Sequence, residues 1–260
     1  MSSTSSTAIW LVRDSARPFA EKLGRMLEAR VMPEIGGSAA EDSSNRERFA
    51  QEFFKASSWI MLMATGIATR YLAGRPHSKQ TDPAVVVLDE ACRFAIPILG
   101  GHEGGGNALA YRVAACTGAT PVITTATEAL KPLTLGIGCR RGVSAEGIQR
   151  AVEKALDRAE CTLGDVREVA TVDLEEHEPG LVEWLARNGL PLRVFSREQL
   201  AHRPLTATPS SWVRSSVGLA GVCEPCALLA SPRGDLVVPK LATAGVTVAV
   251  VSDRFSLSLR

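Results

Sequence analysis

The sequence predicts an α/β protein of two domains, each with a mostly parallel sheet flanked by helices. Short apolar runs alternate with segments of helical periodicity along the chain, and parallel sheets covered on both faces have this order of elements. The 45% hydrophobic content of the 260 residues allows sizeable cores. The alternation breaks at Glu128–Pro132 and then resumes. We therefore place a boundary near Leu130, which gives domains 1–130 and 131–260.

The N-terminal half begins with seven residues rich in Ser and Thr, which predict a frayed tail. They lack the basic stretch and the apolar run of a secretory signal. The patterns then predict a strand at Ala8–Val12, an amphipathic helix at Ala16–Ala29, a buried strand at Trp59–Ala64, a helix opening near Thr65, a strand at Ala84–Leu88, a strand or a loop at Phe94–Leu99, a helix at Asn107–Cys116 and a short strand at Pro121–Thr124.

The C-terminal half repeats the same alternation from Leu133 onwards. A strand at Leu133–Ile137 leads into a loop at 138–142, and Ser144 has the character of an N-cap for a helix at Ala145–Ala159. Further strands are predicted at Val169–Val172, Leu192–Phe195, Leu236–Val238 and Val246–Val251, and further helices at Glu178–Asn188 and Cys223–Ala230.

Charge and cysteine usage exclude several classes of protein. The chain has 29 Lys and Arg against 28 Asp and Glu, whereas a dedicated nucleic-acid binder usually has a clear basic excess. A membrane span would need a run of about twenty apolar residues, and the sequence has none. The six cysteines are scattered through a chain large enough to need no disulfides, so we expect reduced thiols and a cytoplasmic protein.

The most informative stretch is the glycine-rich loop at 100–107, defined here as the first loop. It has five glycines and His102, and a helix is predicted to begin at its end. A helix N-terminus presents N–H groups and a partial positive charge, which favour a carboxylate, a phosphate or a developing oxyanion. His102 could transfer a proton near neutral pH. The alternative is a tight strand-to-helix turn with a surface histidine.

The loop at 136–142, defined here as the second loop, follows the same logic. It has Gly138, Arg140 and Arg141 after a strand and before the Ser144 cap, so it predicts a second anion site. A capped turn with exposed arginines is the alternative.

Other polar positions are weaker candidates. Thr124 and Thr125 follow a strand and could bind a polar ligand or close a turn. Arg70 could pair with a carboxylate, although a solvated arginine on a helix is more common. Cys223 and Cys226 form a lone C-x-x-C, which is poor evidence for zinc. The acidic residues 175–178 would stabilise a helix start without any function.

Several of these motifs together resemble the CbiG family of cobalamin biosynthesis, the cobalt-precorrin-5A hydrolases. In the N-terminal half the resemblance rests on Thr65-Gly66-Ile67 with Arg70, Lys79 with Asp82-Pro83-Ala84-Val85-Val86-Val87 and Asp89-Glu90, Gly101-His102 with Gly104-Gly105 and Asn107, and Pro121-Val122-Ile123-Thr124-Thr125-Ala126-Thr127. The C-terminal half resembles that family's last domain, which also occurs alone in CobE-like proteins. It does so through Gly136-Ile137-Gly138-Cys139-Arg140, Glu178-Pro179-Gly180-Leu181, Thr208-Pro209-Ser210, Gly221-Val222 with Glu224, Lys240 and Thr247-Val248-Ala249.

The resemblance implies a reaction that spacing alone does not identify. The substrate would be a cobalt corrinoid precursor with many carboxylates, and the reaction would open its δ-lactone and release acetaldehyde, giving cobalt-precorrin-5B. It is classed as hydrolysis of a carbon–carbon bond. The cobalt arrives with the substrate, so no cofactor and no protein metal site are expected. A cleft between the domains would suit a macrocycle of this size.

The resemblance also guides the assignment of residues. We assign catalysis to His102 and Asn107, and substrate binding to Arg70, Gly101, Gly104, Gly105, Thr124, Thr125, Gly138, Arg140, Arg141, Ser210 and Glu224. Neighbouring methyltransferases of the pathway are the candidate protein partners, and neither nucleic acid nor membrane is expected. A non-catalytic carrier of corrinoid intermediates is the alternative function. A nucleotide-binding protein is a third, which lacks an acidic ribose-binding residue at convincing spacing.

The chain departs from the family pattern in three places. Many members have a segment between the two domains, whereas Thr127 here runs almost directly into Leu133. Glu175 stands where the family usually has a lysine. Cys223 and Cys226 stand where alanines are usual.

Overall fold

The computed structural model describes residues 6–32, 39–173, 175–202 and 222–253. The chain forms two compact units, Met1–Thr125 and Ala126–Arg260. Each unit has its own mostly parallel sheet with helices packed against it, which confirms the predicted fold class.

The first unit contains a six-stranded sheet in the order β2-β1-β3-β4-β5-β6. All neighbouring strands are parallel except β4 and β5, which are antiparallel. The elements are β1 (Thr7–Leu11), α1 (Arg17–Leu27), β2 (Arg30–Val31), α2 (Ala39–Glu52), β3 (Ser58–Leu62), α3 (Thr65–Leu72), β4 (Ala84–Leu88), β5 (Phe94–Leu99), α4 (Gly106–Thr117) and β6 (Thr120–Pro121), with 3-10 turns at Asp14–Ala16 and Phe53–Lys55.

The sheet of the first unit is buried on both faces, which explains its apolar strands. All five residues of β4, AVVVL, are buried, because successive side chains pack on opposite faces. On one face Trp10 and Trp59 pack around Phe49 of α2, with ring centroids 5.0 and 5.1 Å from that of Phe49. On the other face Leu23 of α1 and Leu109 of α4 cover the strands.

The second unit contains a five-stranded sheet in the order β10-β11-β7-β8-β9. Strands β7, β8 and β9 are parallel, β11 is antiparallel to β7, and β10 is antiparallel to β11. The elements are α5 (Ala126–Ala129), β7 (Leu133–Cys139), α6 (Ala145–Arg158), a 3-10 turn (Leu163–Asp165), β8 (Val166–Val172), α7 (Pro179–Asn188), β9 (Leu192–Phe195), α8 (Arg197–His202), α9 (Cys223–Ala230), β10 (Gly234–Thr243) and β11 (Val246–Asp253).

The period of two along β7 sorts its residues between two layers of helices. Leu133, Leu135 and Ile137 join the core formed with α6 and α7. Gly136 lies on the opposite face, where α9 packs: a Cβ there would lie 1.7 Å from the Cys223 carbonyl oxygen. A glycine therefore lets the helix backbone approach the strand closely.

Two sequence-based expectations differ from the structure. The segment 39–52 has no apolar stripe of helical period, so α2 was not predicted, yet its last part packs through Phe49. The strand predicted at Pro121–Thr124 is shorter and ends at Pro121, because only Thr120 and Pro121 pair with β5. Thr124 and Thr125 are thereby left in the segment that follows the strand.

Candidate functional site

The first loop closes tightly on itself between β5 and α4. The backbone N–H groups of Gly106 and Asn107 donate to the carbonyls of Gly100 and Gly101, each at 2.8 Å. Gly105 caps the helix with φ of 81°, a left-handed conformation that favours glycine. A Cβ on Gly104 would lie 2.9 Å from the Gly100 Cα. The glycines serve this compact turn, and two of the amides expected to face a ligand bind the loop's own carbonyls.

A small polar group joins the first loop to the segment after β6. Asn107 is 8% exposed, and its Nδ2 donates to Thr125 Oγ1 at 2.8 Å. A Cβ on Gly101 would lie 2.6 Å from the Thr125 methyl carbon. His102 and Thr124 are exposed in the same two segments. The structure thus brings Gly101, Asn107 and Thr125 into contact, and His102 and Thr124 are their neighbours in the chain.

Arg70 lies apart from this group. Gly100 of the first loop packs against Ala84, the first residue of β4. Helix α3 begins just after Leu62, and Leu62 pairs with Leu88, the last residue of β4. The two ends of this five-residue strand are roughly 13 Å apart, so the first loop and the start of α3 lie at opposite edges of the sheet. The separation arises because β5 runs antiparallel to β4, so that the end of β5 lies beside the start of β4. Arg70 Nη1 donates to the carbonyl of Gly66 in its own helix at 3.0 Å.

In the second unit a pocket of about 400 Å³ lies at the carboxyl ends of β7 and β8. Ligands of open α/β sheets usually bind at such an edge. Its wall is formed by β7 and the second loop, by Glu175 after β8, and by the β10–β11 hairpin. The lining residues are Gly138, Cys139, Arg140, Glu175, Val222, Lys240, Ala242, Thr243, Ala244, Gly245, Val246 and Thr247.

The second loop does bind carboxylates, but they belong to the chain itself. Glu175 Oε2 accepts from the backbone N–H of Cys139 at 2.9 Å and from Thr171 Oγ1 at 3.2 Å. Glu178 Oε2 accepts from the backbone N–H of Gly142 at 3.2 Å. These residues are therefore more than acids at a helix start, because they fix the second loop against the end of β8.

The pocket perturbs the titration of its acidic groups. Burial raises the pKa of Glu175, and the negative charge of Glu178 adds to the rise, against hydrogen bonds from Cys139 and Thr171 that lower it. Burial and the same two carboxylates raise the pKa of the Cys139 thiol to about 12. Cys139 is therefore a neutral thiol at neutral pH.

Glu224 is hydrogen-bonded to β10, a strand of the pocket wall. It is 3% exposed at the start of α9, and its Oε1 accepts from the backbone N–H of Lys240 at 2.6 Å. Burial raises its pKa, opposed by this hydrogen bond and by the positive charge of Lys240. Glu224 thereby holds the part of β10 that carries Lys240 into the pocket wall, which makes it a positioning residue.

The remaining predicted positions fall into three groups. Arg140 and Arg141 are both exposed, and Arg140 lines the pocket. Cys223 and Cys226 are buried free thiols whose pKa values are raised chiefly by burial, and no group of three or more His, Cys, Asp or Glu in the described ranges could hold a metal ion. Ser210 lies outside the described residues.

Sequence reasoning missed Glu175 as a pocket residue. Its signal was a charged side chain a few residues after a buried strand, the same signal that marked the second loop. Thr171 was also missed, because a hydroxyl within a strand has no distinctive spacing. Its Oγ1 also lies 2.9 Å from the Ile137 carbonyl oxygen, across the β7–β8 pair, so its one proton is shared between that oxygen and Glu175.

Fold and pocket together define a two-domain α/β protein with a polar pocket at the carboxyl edge of its second sheet. Two family models cover most of the chain: Cobalamin synthesis G N-terminal matches residues 47–128, and Cobalamin synthesis G C-terminus matches residues 133–251. The chain belongs to the CbiG family, which confirms the resemblance found in the sequence.

Characterised relatives agree with this membership. The chain is 26% identical over 292 residues to a cobalt-precorrin-5A hydrolase of Salmonella typhimurium, covering 77% of this chain and 83% of that protein. It is 24% identical over 289 residues to the Priestia megaterium hydrolase, with coverages of 74% and 77%. Protein CobE of a Sinorhizobium species is 33% identical over 126 residues, 48% of this chain and 82% of that protein.

The alignments also bear on the segment between the domains. Both hydrolase alignments are longer than the 260-residue chain while covering about three-quarters of it, so the hydrolases contain segments that this chain lacks. The two family models leave only residues 129–132 between them. No helix in the described ranges is long and apolar enough to cross a membrane.

Proposed function

We propose that this chain is a cobalt-precorrin-5A hydrolase of cobalamin biosynthesis. It opens the δ-lactone of cobalt-precorrin-5A with water and releases acetaldehyde, giving cobalt-precorrin-5B. The observation that carries the proposal is the presence, in order, of both family domains, supported by hydrolase relatives aligned over most of the chain.

The first loop is the proposed place of the chemistry. Attack of water on the lactone carbonyl breaks the acyl C–O bond and frees an alkoxide. Collapse of this alkoxide to acetaldehyde breaks the C–C bond to the macrocycle, which takes up the electron pair. The attack needs a base for the water proton and donors for the developing oxyanion. His102 is exposed and would act as that base. The hydroxyl of Thr124, which is also exposed, would be the donor. Asn107 is buried and hydrogen-bonded to Thr125, so we assign it a positioning role.

The pocket of the second unit is the proposed place for substrate carboxylates. Arg140 and Lys240 line it, and guanidinium and ammonium groups bind carboxylates by charge-assisted hydrogen bonds. Arg141 extends the positive charge of the second loop. Arg70 lies at the opposite edge of the first sheet from His102 and would bind a peripheral carboxylate remote from the lactone.

The proposal also covers the cofactor, the cellular compartment and the protein partners of the enzyme. The cobalt belongs to the substrate, so the chain itself supplies acid–base and binding groups and no cofactor. The cytoplasm would keep its six free thiols reduced. Neighbouring methyltransferases of the pathway are the proposed protein partners, because they would supply or receive an unstable intermediate.

The test is an anaerobic incubation of purified, reduced protein with cobalt-precorrin-5A, followed by an assay for acetaldehyde. We expect release at a rate proportional to protein concentration. His102→Ala should lower kcat by about 100-fold or more if His102 is the base, while His177→Ala, at another exposed histidine, should leave the rate unchanged. Full turnover by His102→Ala would remove His102 from the mechanism.

A non-catalytic carrier function is tested in the same experiment, because this chain lacks segments that the hydrolases have. A carrier would bind the corrinoid without converting it. Tight binding without acetaldehyde would establish the carrier and contradict the hydrolase.

A further inference from the structure

The pocket of the second unit has charges of both signs from separate elements. Arg140 comes from the second loop, Lys240 from β10, and Glu175 from the segment after β8. Both basic side chains are exposed, whereas Glu175 is half-buried. A ligand entering this pocket therefore meets two cations and one carboxyl group.

The described hydrogen bonds of Glu175 come from neutral donors. Its Oε2 accepts from the Cys139 amide and the Thr171 hydroxyl. These two bonds hold the carboxyl group in place in either protonation state, because one oxygen can accept while the other carries a proton. Glu175 can thus gain or lose a proton without leaving the wall.

The groups around Glu175 determine how readily it ionises. Glu178, at the start of α7, is a second carboxylate close enough to raise its pKa, and burial raises it further. Asp173 is exposed directly after β8, and its charge, like that of Glu175, helps to raise the pKa of Cys226. The thiols of Cys139 and Cys226 have raised pKa values and stay neutral. Arg140 and Lys240 are the positive groups of the pocket.

We propose that this pocket binds a ligand carboxylate at Arg140 and Lys240, and that Glu175 takes up a proton when the ligand enters. Two carboxylates in one half-buried pocket repel each other when both are ionised. Protonation of Glu175 removes the repulsion and supplies an O–H that can donate to the incoming carboxylate. Binding of an acid is then coupled to uptake of a proton.

The coupling fixes the sign of the pH dependence. Affinity is highest where Glu175 is already protonated. It falls by up to about tenfold per pH unit above the pKa of the free pocket, and it levels off once Glu175 stays ionised in the complex. An ordinary site with fixed positive charges would hold its affinity over the same range.

This inference rests on the proposed function for the kind of ligand, a corrinoid with peripheral carboxylates. The probe is cobyrinic acid, a cobalt corrinoid with free carboxylates, titrated into the full chain by calorimetry from the ordinary pKa of a glutamate, about pH 4.5, up to about pH 8. Repeating each titration in two buffers of different ionisation enthalpy counts the protons taken up.

Glu175→Gln is the decisive variant, because its amide oxygen can still accept from Cys139 and Thr171 but cannot take up a proton. We expect its affinity to be less pH-dependent than that of the wild type and to exceed it by about tenfold at the upper end of the range. Arg140→Ala should weaken binding at every pH. Glu153→Gln, at an exposed position on α6, is the matched control and should match the wild type.

The outcomes separate the two proposals. Equal pH dependence in the wild type and Glu175→Gln, with no difference in proton uptake, would overturn the role of Glu175. Unchanged binding by Arg140→Ala would overturn the site. Wild-type protein that binds no corrinoid at any pH and releases no acetaldehyde from cobalt-precorrin-5A would contradict the proposed function, and this inference with it.

Discussion

Replacement of Gly136 by alanine tests the close packing of α9 on β7, next to the pocket of the second unit. An ideal Cβ at this position would lie 1.7 Å from the backbone oxygen of Cys223 and 3.0 Å from the Ala227 methyl carbon. Non-bonded carbon and oxygen atoms need more than 3 Å, so α9 would have to retreat from β7 by roughly 1.5 Å. The obstructing atom is backbone and has no rotamer that could relieve the clash.

The cost of this retreat follows from the packing of α9. Overpacking a well-packed core typically costs about 1–3 kcal/mol, and we expect Gly136→Ala at the upper end of that range because a whole helix must move. Cys226, Leu229 and Ala230 would lose contacts in the core that α9 shares with β8. Glu224 would move as well, and with it the hydrogen bond to the Lys240 amide.

The assay is urea unfolding followed by far-UV circular dichroism, together with corrinoid binding. Gly164→Ala is the matched control in the same unit, since its nearest atom would lie at 3.4 Å, an ordinary contact. We expect a loss of about 3 kcal/mol in the free energy of unfolding and weaker binding for Gly136→Ala only. A change within about 0.5 kcal/mol of the wild type would refute the close approach of α9 to β7.

Three further predictions concern buried polar groups. The pKa of Glu175 is higher in the folded than in the unfolded chain, so the free energy of unfolding falls as pH rises from the unfolded pKa through the folded pKa. Glu175→Gln should remove this fall in stability. Urea midpoints measured across that pH interval test it. Asn107→Ala should cost about 1–3 kcal/mol in urea unfolding and should slow acetaldehyde release, because Thr125 loses the hydrogen bond from the Asn107 amide; an unaltered rate would rule out the positioning role. Arg167→Met should cost about 3–5 kcal/mol in the same unfolding assay, because it leaves the buried Asp253 carboxylate without its ion pair to Arg167 Nη1 at 2.6 Å; a neutral result would contradict a role for this ion pair in stability.

Local patterns in the sequence predicted much of the secondary structure. The run AVVVL marks β4 with its observed bounds, because a strand buried on both faces is continuously apolar. Ser144 was predicted as an N-cap, and its side chain accepts from the Gly147 N–H at 3.2 Å. In both cases the signal and the structure lie within a few residues of each other.

The direction of β5 and the pocket acids depend on contacts between distant segments. The sequence at 94–99 is equally compatible with a parallel or an antiparallel strand, and the antiparallel choice separates the first loop from the start of α3. Glu175 meets Cys139 across 36 positions of the chain, so no local pattern could place them together. The anion site at the second loop stays a prediction, and the two carboxylates that accept from the amides of Cys139 and Gly142 could not be predicted from the sequence.

The most direct measurement of the central claim is the conversion of cobalt-precorrin-5A by this chain in water enriched in heavy oxygen, under anaerobic conditions. Lactone opening by water predicts acetaldehyde in step with substrate loss and one heavy oxygen in the newly formed carboxylate of the corrinoid product. A bound corrinoid recovered unchanged, with no acetaldehyde and no heavy oxygen in it, would contradict the assignment of this chain as the hydrolase.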